Sequence, residues 1–354
     1  MRLISCLIIG LCLTAQVYAQ SKKIVTDLPD ISVIGNFLGS YSKSNKSFDV
    51  KELEFSFQHY LYPSVKANVF AALHKEASGD RNFELEEAYV TFSDMWGVVF
   101  IESDSNVGLG TIVGKKLLNI GKINALHPEQ LTFVDRSFAT QQFLGGEEGL
   151  SAEGGAFQYL MPLPFFSQLE LGYWTVAPHE ENETIEHSGV EYTNRLFNTR
   201  LWNSFNLSDT QELELGFSSV IGNTSTSSES DKQSLYVIDL THTKELLRDR
   251  LVIFQAEHYQ AKYGESGEER ASQSGGFLSG FYKPSKHYQF GLRHGWLGKH
   301  GDEGDTQNGW AILATRQLTE TSKFRIQYNT GDGTENTFLA QFIFGIGPHS
   351  HVLQ

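Results

Sequence analysis

The chain is poor in cysteine, methionine and proline: it has two, three and eight of them among 354 residues. Cys6 and Cys12 both lie in a segment, residues 1–19, that we interpret as a signal peptide. Arg2 supplies its positive charge, residues 3–13 are apolar, and Val17-Tyr18-Ala19 gives a small-x-small cleavage site. The mature chain therefore has no thiol, which excludes disulfides, cysteine metal ligands and a cysteine nucleophile. No apolar run of about eighteen residues follows, which excludes a membrane-spanning helix.

What the sequence does contain is a period of two. Leu53, Phe55 and Phe57 alternate with Glu54 and Ser56, and similar alternation recurs down to residue 346. Successive side chains of a strand point to opposite faces, so each such segment has one apolar and one polar side. The 33 glycines, 25 phenylalanines and 14 tyrosines also suit strands better than packed helices.

Counting the alternating segments between turn residues predicts about sixteen strands, an even number, as a closed antiparallel barrel with both ends on one side requires. We place them at residues 30–42, 48–60, 63–75, 82–93, 107–116, 149–162, 166–176, 190–207, 210–221, 231–244, 248–263, 271–283, 286–298, 307–318, 322–330 and 335–346.

The connections alternate in length. Tight turns such as Tyr62-Pro63-Ser64 and Lys283-Pro284-Ser285 follow even-numbered strands, and longer hydrophilic loops such as residues 178–189 and 299–305 follow most odd-numbered ones. This parity is typical of short periplasmic turns and long external loops. We predict an all-β fold: a closed antiparallel transmembrane β-barrel over residues 30–346, with a periplasmic lead-in at 20–29 and a C-terminal tail at 347–354.

Charged residues alternate with the apolar rows, which predicts a water-filled lumen, since sixteen strands enclose an aqueous channel. The side chains that we predict on the lumen wall are Lys115, Glu54, Glu170, Arg293 and Arg325.

The connection between the fifth and sixth predicted strands, about Leu117 to Glu148, is the longest and is rich in Ile, Leu and Phe. So apolar a loop is expected to pack against something rather than extend into water. The chain resembles general porins, in which the loop at this position folds into the barrel and narrows the pore. The resemblance implies that this loop is folded inward and holds the constriction.

Candidate constriction charges in this loop are Asp135, Arg136, Glu147, Glu148 and Lys122. Opposite charges at a narrow point create a transverse field that sorts ions by sign. Alternatively, Asp135 and Arg136 form a structural salt bridge that pins the loop to the wall. The sequence leaves both interpretations open.

Residues 113–116 (Val-Gly-Lys-Lys) and 121–124 (Gly-Lys-Ile-Asn) also resemble the corresponding region of the phosphate-selective porin O/P-like family. That resemblance implies a basic, anion-preferring pore. The formal net charge of −14, or −15 once Arg2 is removed, departs from this pattern and favours a mild cation preference.

His179 and His187, which flank several glutamates in the predicted fourth external loop, are candidate metal ligands. We expect no cofactor, no enzymatic activity and no nucleic-acid partner, because the chain has neither a Gly-x-Ser-x-Gly motif nor a basic stripe. The expected partners are outer-membrane lipid and lipopolysaccharide, small hydrophilic solutes and, by resemblance to porins, two further copies in a homotrimer.

The sequence therefore predicts an outer-membrane, porin-like channel for passive diffusion of small hydrophilic solutes or ions. Two alternatives remain open. One is a receptor-like barrel that takes up a metal ion or nutrient, and the other is a structural barrel with a plugged lumen.

Overall fold

The computed structural model describes residues 28–75, 81–100, 107–176, 192–223, 232–247, 250–264, 272–301, 305–332 and 334–348. The predicted signal peptide, most of the lead-in, the loop with His179 and His187, and the end of the tail lie outside these residues. The assignments made for them stay predictions.

The described residues form sixteen strands and two short helices, and the ends of the strands differ from those predicted by at most three residues. The strands are β1 Asp30–Tyr41, β2 Lys46–Tyr62, β3 Val65–Lys75, β4 Arg81–Phe92, β5 Leu109–Leu117, β6 Ser151–Leu160, β7 Phe166–Val176, β8 Thr193–Ser208, β9 Gln211–Asn223, β10 Lys232–Leu246, β11 Arg250–Gly264, β12 Ser272–Ser285, β13 Tyr288–Leu297, β14 Gln307–Thr319, β15 Ser322–Gly331 and β16 Thr334–Ile346. The helices are α1 Met95–Val99 and α2 Phe138–Phe143. Among the described residues, no helix is long and apolar enough to cross a membrane.

Each strand pairs antiparallel with its neighbours in sequence, and β1 pairs with β16 to close the sheet. The closing register runs from Val33 opposite Ile346 to Tyr41 opposite Phe338. Closure leaves no unpaired edge, which a sheet in lipid requires because hydrocarbon cannot satisfy backbone polar groups. The predicted fold class, a closed antiparallel barrel of sixteen strands, is confirmed.

The two faces of the wall differ as the alternation predicts. On β7, Leu171 and Tyr173 are 41% and 56% exposed on the outer surface, whereas Glu170 and Trp174 are buried on the inner one. The same division repeats around the barrel, so the outer surface is an apolar band suited to lipid.

The connection after β4 is longer than the other turns on its side, and its described part contains α1. Asp94 caps this helix by accepting a hydrogen bond from the Gly97 N–H at 2.9 Å. The longest connection joins β5 to β6 through residues 118–150 and contains α2, and it is called the β5–β6 loop below. It contacts inward-facing side chains over most of the wall.

Candidate pore constriction

The β5–β6 loop is held in shape from within by two polar side chains. Arg136 is 2% exposed, and its guanidinium donates to the carbonyls of Ile123, Leu126, Glu147 and Glu148 at 2.7–3.2 Å. Asn124 donates to the carbonyls of residues 118 and 150 and accepts from the N–H of residue 150, which ties the two ends of the loop together. The loop is therefore a folded unit with its own internal hydrogen bonds.

On one side of the lumen the loop forms a dry hydrophobic core with the wall. Ile120 and Phe143 are fully buried and belong to the same cluster as Val220, Leu235 and Val237, which point inward from β9 and β10. The Phe143 ring also stacks on Tyr259 of β11, with the ring centroids 5.5 Å apart. These inward-facing apolar side chains would be exposed to water in an empty barrel, and packing against the loop buries them.

Loop N–H groups meet wall acids beside this core. The N–H groups of Lys122 and Ile123 donate to Glu257 Oε1 at 2.6 and 2.9 Å, and Lys122 Nζ donates to Glu214 Oε1 at 2.6 Å. Gly121 makes this approach possible, because it has φ of 58° and a Cβ there would lie 2.8 Å from a Glu257 oxygen. Lys122 is thus paired with the wall rather than free in the lumen.

Asp135 fastens the loop to another part of the wall, on β13 and β15. Its Oδ1 accepts from Arg293 Nη2 at 2.7 Å and from Gln327 Nε2 at 2.7 Å, and its Oδ2 accepts from Asn329 at 2.6 Å. Arg136 makes none of these contacts, so the predicted Asp135–Arg136 salt bridge is wrong. A charged group pins the loop to the wall, as that interpretation supposed, but the partner of Asp135 is Arg293.

The remaining basic wall residues lie under the loop. Arg325, 1% exposed, donates to the carbonyls of residues 131, 132 and 133, and Lys323 Nζ donates to the Glu129 carbonyl at 2.6 Å. A cavity of about 20 Å³, enough for a single water molecule, lies beside Asp135 and Arg293. Arg293 and Arg325 face inward and donate to oxygens of the loop.

A cluster of acids and histidines lies where the loop meets β2, β3 and β4. His127 of the loop is buried, with Nδ1 3.1 Å from Glu54 Oε2 and Nε2 2.9 Å from Glu87 Oε2. Burial alone would lower the pKa of His127, but its contacts with Glu54 and Glu87 raise that pKa well above 6.5. Burial, with the nearby charge of Glu54, raises the pKa of the Glu129 carboxyl to about 8.

The exposed part of the loop faces this acidic wall. The Glu147 side chain is 60% exposed and pairs with Lys51 Nζ of β2 at 2.5 Å. Glu148 beside it is also exposed. Crowding by surrounding protein, more than the acidic side chains of Glu84 and Glu86, raises the pKa of Glu148. Among the five predicted constriction charges, Glu147 and Glu148 are the exposed ones.

Four more predicted residues, Arg136, Lys115, Glu54 and Glu170, remain to be placed. Arg136 cannot act as a constriction charge, because it is buried inside the loop. Lys115 lies two residues after Val113, which is exposed on the outer face of β5, and it is paired in register with the exposed Glu153. Lys115 therefore faces outward, and its prediction as a lumen-wall residue is corrected. The residue that faces inward is Lys116, whose Nζ lies 3.8 Å from Glu87 Oε1. Glu54 and Glu170 face inward, and Glu170 accepts from loop Asn119 at 2.6 Å.

Sequence reasoning missed Lys51, His74, Glu86 and His127. The period of two could have found His74, which lies opposite Glu52 of β2, whereas Lys51 and Glu86 lie at register shifts that break the period.

No protein-family model matches the chain. An uncharacterized protein of Aquifex aeolicus is 24% identical over 384 residues, which covers 91% of this chain and 79% of that protein. Solved structures with this fold include the outer membrane channel DcaP of Acinetobacter baumannii, at 11% identity and a TM-score of 0.58 over 91% of this chain and 99% of that one. An anion-selective porin from Comamonas acidovorans matches at 9% identity and a TM-score of 0.58, over 89% and 98% of the two chains. OprB of Pseudomonas putida matches at 10% identity and a TM-score of 0.56, over 90% and 94%. At such identities the likeness establishes the fold, which is that of a 16-stranded outer-membrane β-barrel of the porin type.

Proposed function

We propose that the protein is a narrow outer-membrane channel for passive diffusion of small hydrophilic solutes or ions, with a mild preference for cations. It carries out no reaction. The observation that supports this most is the uneven contact of the β5–β6 loop with the wall. The loop is sealed against β9–β11 by apolar packing, while its Glu147–Glu148 segment stays exposed opposite β2–β4.

The route proposed for solutes therefore runs between residues 145–149 and the β2–β4 wall. Glu147, Glu148 and Glu84 are exposed there, and Lys51 is the basic partner within reach. Excess negative charge at a narrow point raises the local concentration of cations and repels anions. These acids weigh against the phosphate preference that the short glycine-lysine resemblance implied.

Reversal potentials in planar bilayers under a KCl gradient test this proposal. We expect a reversal potential of the sign for cation preference in the unaltered protein, and a reduction of that preference on the order of twofold in a Glu147→Gln/Glu148→Gln variant. Glu320→Gln, in the turn between β14 and β15, is the matched control and should leave the potential unchanged. Anion preference, or no effect of the double substitution, contradicts the proposed route, and absence of any conductance favours the plugged structural barrel.

A homotrimer is proposed by similarity, since OmpT of Vibrio cholerae is a barrel of this fold solved in a trimer form. Outer-membrane lipid and lipopolysaccharide are the proposed surroundings of the apolar outer face. Crosslinking in membranes tests the assembly, with a ladder that stops at three copies as the expected result.

A further inference from the structure

Six titratable side chains meet where the β5–β6 loop crosses β2, β3 and β4. We call them the inner cluster, and its members are Glu52, Glu54, His74, Glu86, Glu87 and His127. Five of them point inward from three adjacent strands, and His127 comes from the loop. None of the constriction or wall contacts described above requires so many acids in one place.

The inner cluster contains two sets of ligand atoms with the spacing of a metal site. Glu54, Glu86 and His127 form one set, and Glu52, His74 and Glu86 form the other, with all ligand atoms of a set within 4.8 Å of one another. Glu86 links the two sets, because its Oε1 lies 3.1 Å from His74 Nε2 and its Oε2 lies 3.8 Å from His127 Nδ1. One imidazole with two carboxylates is a ligand set that zinc and similar ions accept.

Several of the carboxylate oxygens are buried without a hydrogen-bond donor among the described residues. These are Glu52 Oε1, Glu54 Oε1 and Glu86 Oε2, while Glu54 Oε2 has the 3.1 Å ion-pair contact with His127 Nδ1. Glu52 and Glu54 are 3% and 1% exposed. Buried carboxylates are costly unless a cation or donors compensate them. A bound cation is one partner that would compensate these oxygens.

The imidazole of His127 is already oriented for a metal. Its Nε2 lies 2.9 Å from Glu87 Oε2, and Glu87 Oε1 in turn accepts from the Leu117 N–H at 2.6 Å. A cation that displaced the Nδ1 proton would meet the Nδ1 lone pair on the side of Glu54 and Glu86, while Nε2 kept its contact with Glu87. A carboxylate behind the histidine is the usual outer-shell arrangement of metal-binding histidines.

We propose that Glu54, Glu86 and His127 bind one divalent transition-metal ion of the zinc class, with Glu52 and His74 as an alternative position for the same ion on the other side of Glu86. The ion would bridge the loop to the wall, because His127 belongs to the loop and both glutamates belong to strands. It would reach the site from the lumen, where His74 and Glu86 each retain 16% of their side-chain exposure. The imidazole disfavours Mg²⁺ and Ca²⁺, which prefer oxygen ligands.

The test is calorimetric titration of Zn²⁺ into the full-length mature protein in detergent, stripped with a chelator and carrying no histidine tag. All variants carry His179→Gln and His187→Gln, so that the external loop contributes no binding. We expect one tight equivalent of Zn²⁺, at least tenfold weaker binding in His127→Gln and in Glu54→Gln, and at least tenfold weaker binding in the positioning variant Glu87→Gln. Glu214→Gln is the matched control, because it removes an inner-wall glutamate that also contacts the loop, and it should bind as the parent does.

The closed barrel of each variant is checked by its heat-dependent mobility in gels. If the barrel of the His127→Gln variant does not close, the test uses Glu54→Gln and Glu86→Gln, each of which should bind Zn²⁺ at least tenfold more weakly. Co²⁺ provides a second readout, since a nitrogen- and oxygen-ligated Co²⁺ absorbs visible light and the band should disappear with Glu54→Gln. Zn²⁺ binding that survives these substitutions, Mg²⁺ binding as tight as Zn²⁺ binding, or no tight Zn²⁺ binding at all overturns the proposal. Each of these results is independent of whether the barrel conducts.

Discussion

The two sides of the lumen differ in the kind of contact that predominates between the wall and the loop. Toward β9–β11 the wall presents Val220, Leu235 and Val237, and the loop answers with Ile120 and Phe143. Toward β2–β4 the wall presents carboxylates and Lys51. Loop residue His127 contacts Glu54 there, and the exposed Glu147 contacts Lys51. An apolar contact excludes water without specificity, whereas a charged one keeps water and ions nearby. His127 and Glu54 are themselves buried, but Glu84, Glu147 and Glu148 stay exposed, so one loop can close one side of a barrel and leave a passage for water on the other.

The loop's own scaffold is the part of this division whose loss should have the largest effect. Arg136→Ala removes the donor shared by four loop carbonyls and leaves them buried. We expect the free energy of loop opening to fall by roughly 3–5 kcal/mol, because each lost bond involves a charged donor. Limited proteolysis within residues 118–150 should become fast, and conductance should rise. Arg136→Lys keeps the charge but not the planar guanidinium, so its rate of loop proteolysis should lie between those of the parent and Arg136→Ala. Unchanged protease resistance in Arg136→Ala contradicts this account.

Weakening the dry side alone is the next largest perturbation. Phe143→Ala leaves a cavity among fully buried side chains, at a cost on the order of 3 kcal/mol. Hydrogen exchange of α2 amides should accelerate, while the amides of residues 125–130 on the acidic side should keep their protection. Phe157→Ala, on the lipid-facing surface, is the control and should alter neither set. Uniform acceleration along the whole loop indicates that the two sides are not independent.

The division between strands and loop contacts also marks what a sequence can predict. Strand positions follow from local alternation, so the barrel was predictable to within a few residues. The parity of β5 likewise contained the orientation of Lys115, because an outward Val113 places residue 115 outward too. The resemblance to phosphate-selective porins implies basic residues in the pore, and for that reason it favoured an inward Lys115 against the alternation of β5.

The partners of the loop were not predictable in this way. Asp135 and Arg293 are 158 residues apart, and only barrel closure brings them together. Adjacent residues of an irregular loop point in different directions, so Arg136 next to Asp135 in sequence turns back into the loop. His127 is 40 residues from Glu87 and still farther from Glu54, so a local pattern could not reveal the inner cluster.

The smallest effect is expected at the ion pair between Lys122 and Glu214. Their side chains are 31% and 14% exposed, and such partly solvated pairs contribute about 1 kcal/mol or less. Glu214→Gln should therefore leave protease resistance of the loop within error of the parent and change conductance little. A large opening of the loop in this variant implies that charge, rather than apolar packing, seals the β9–β11 side.

The absence of cysteine from the predicted mature chain permits a direct test of the central claim, which is that water fills one side of the lumen and not the other. Single substitutions Glu147→Cys and Val237→Cys place a thiol on the exposed loop segment and in the dry core. A small, cationic, membrane-impermeant thiol reagent should modify Glu147→Cys rapidly and reduce conductance, and it should leave Val237→Cys unmodified in the folded barrel. Equal modification at both positions, or protection of Glu147→Cys, contradicts the account.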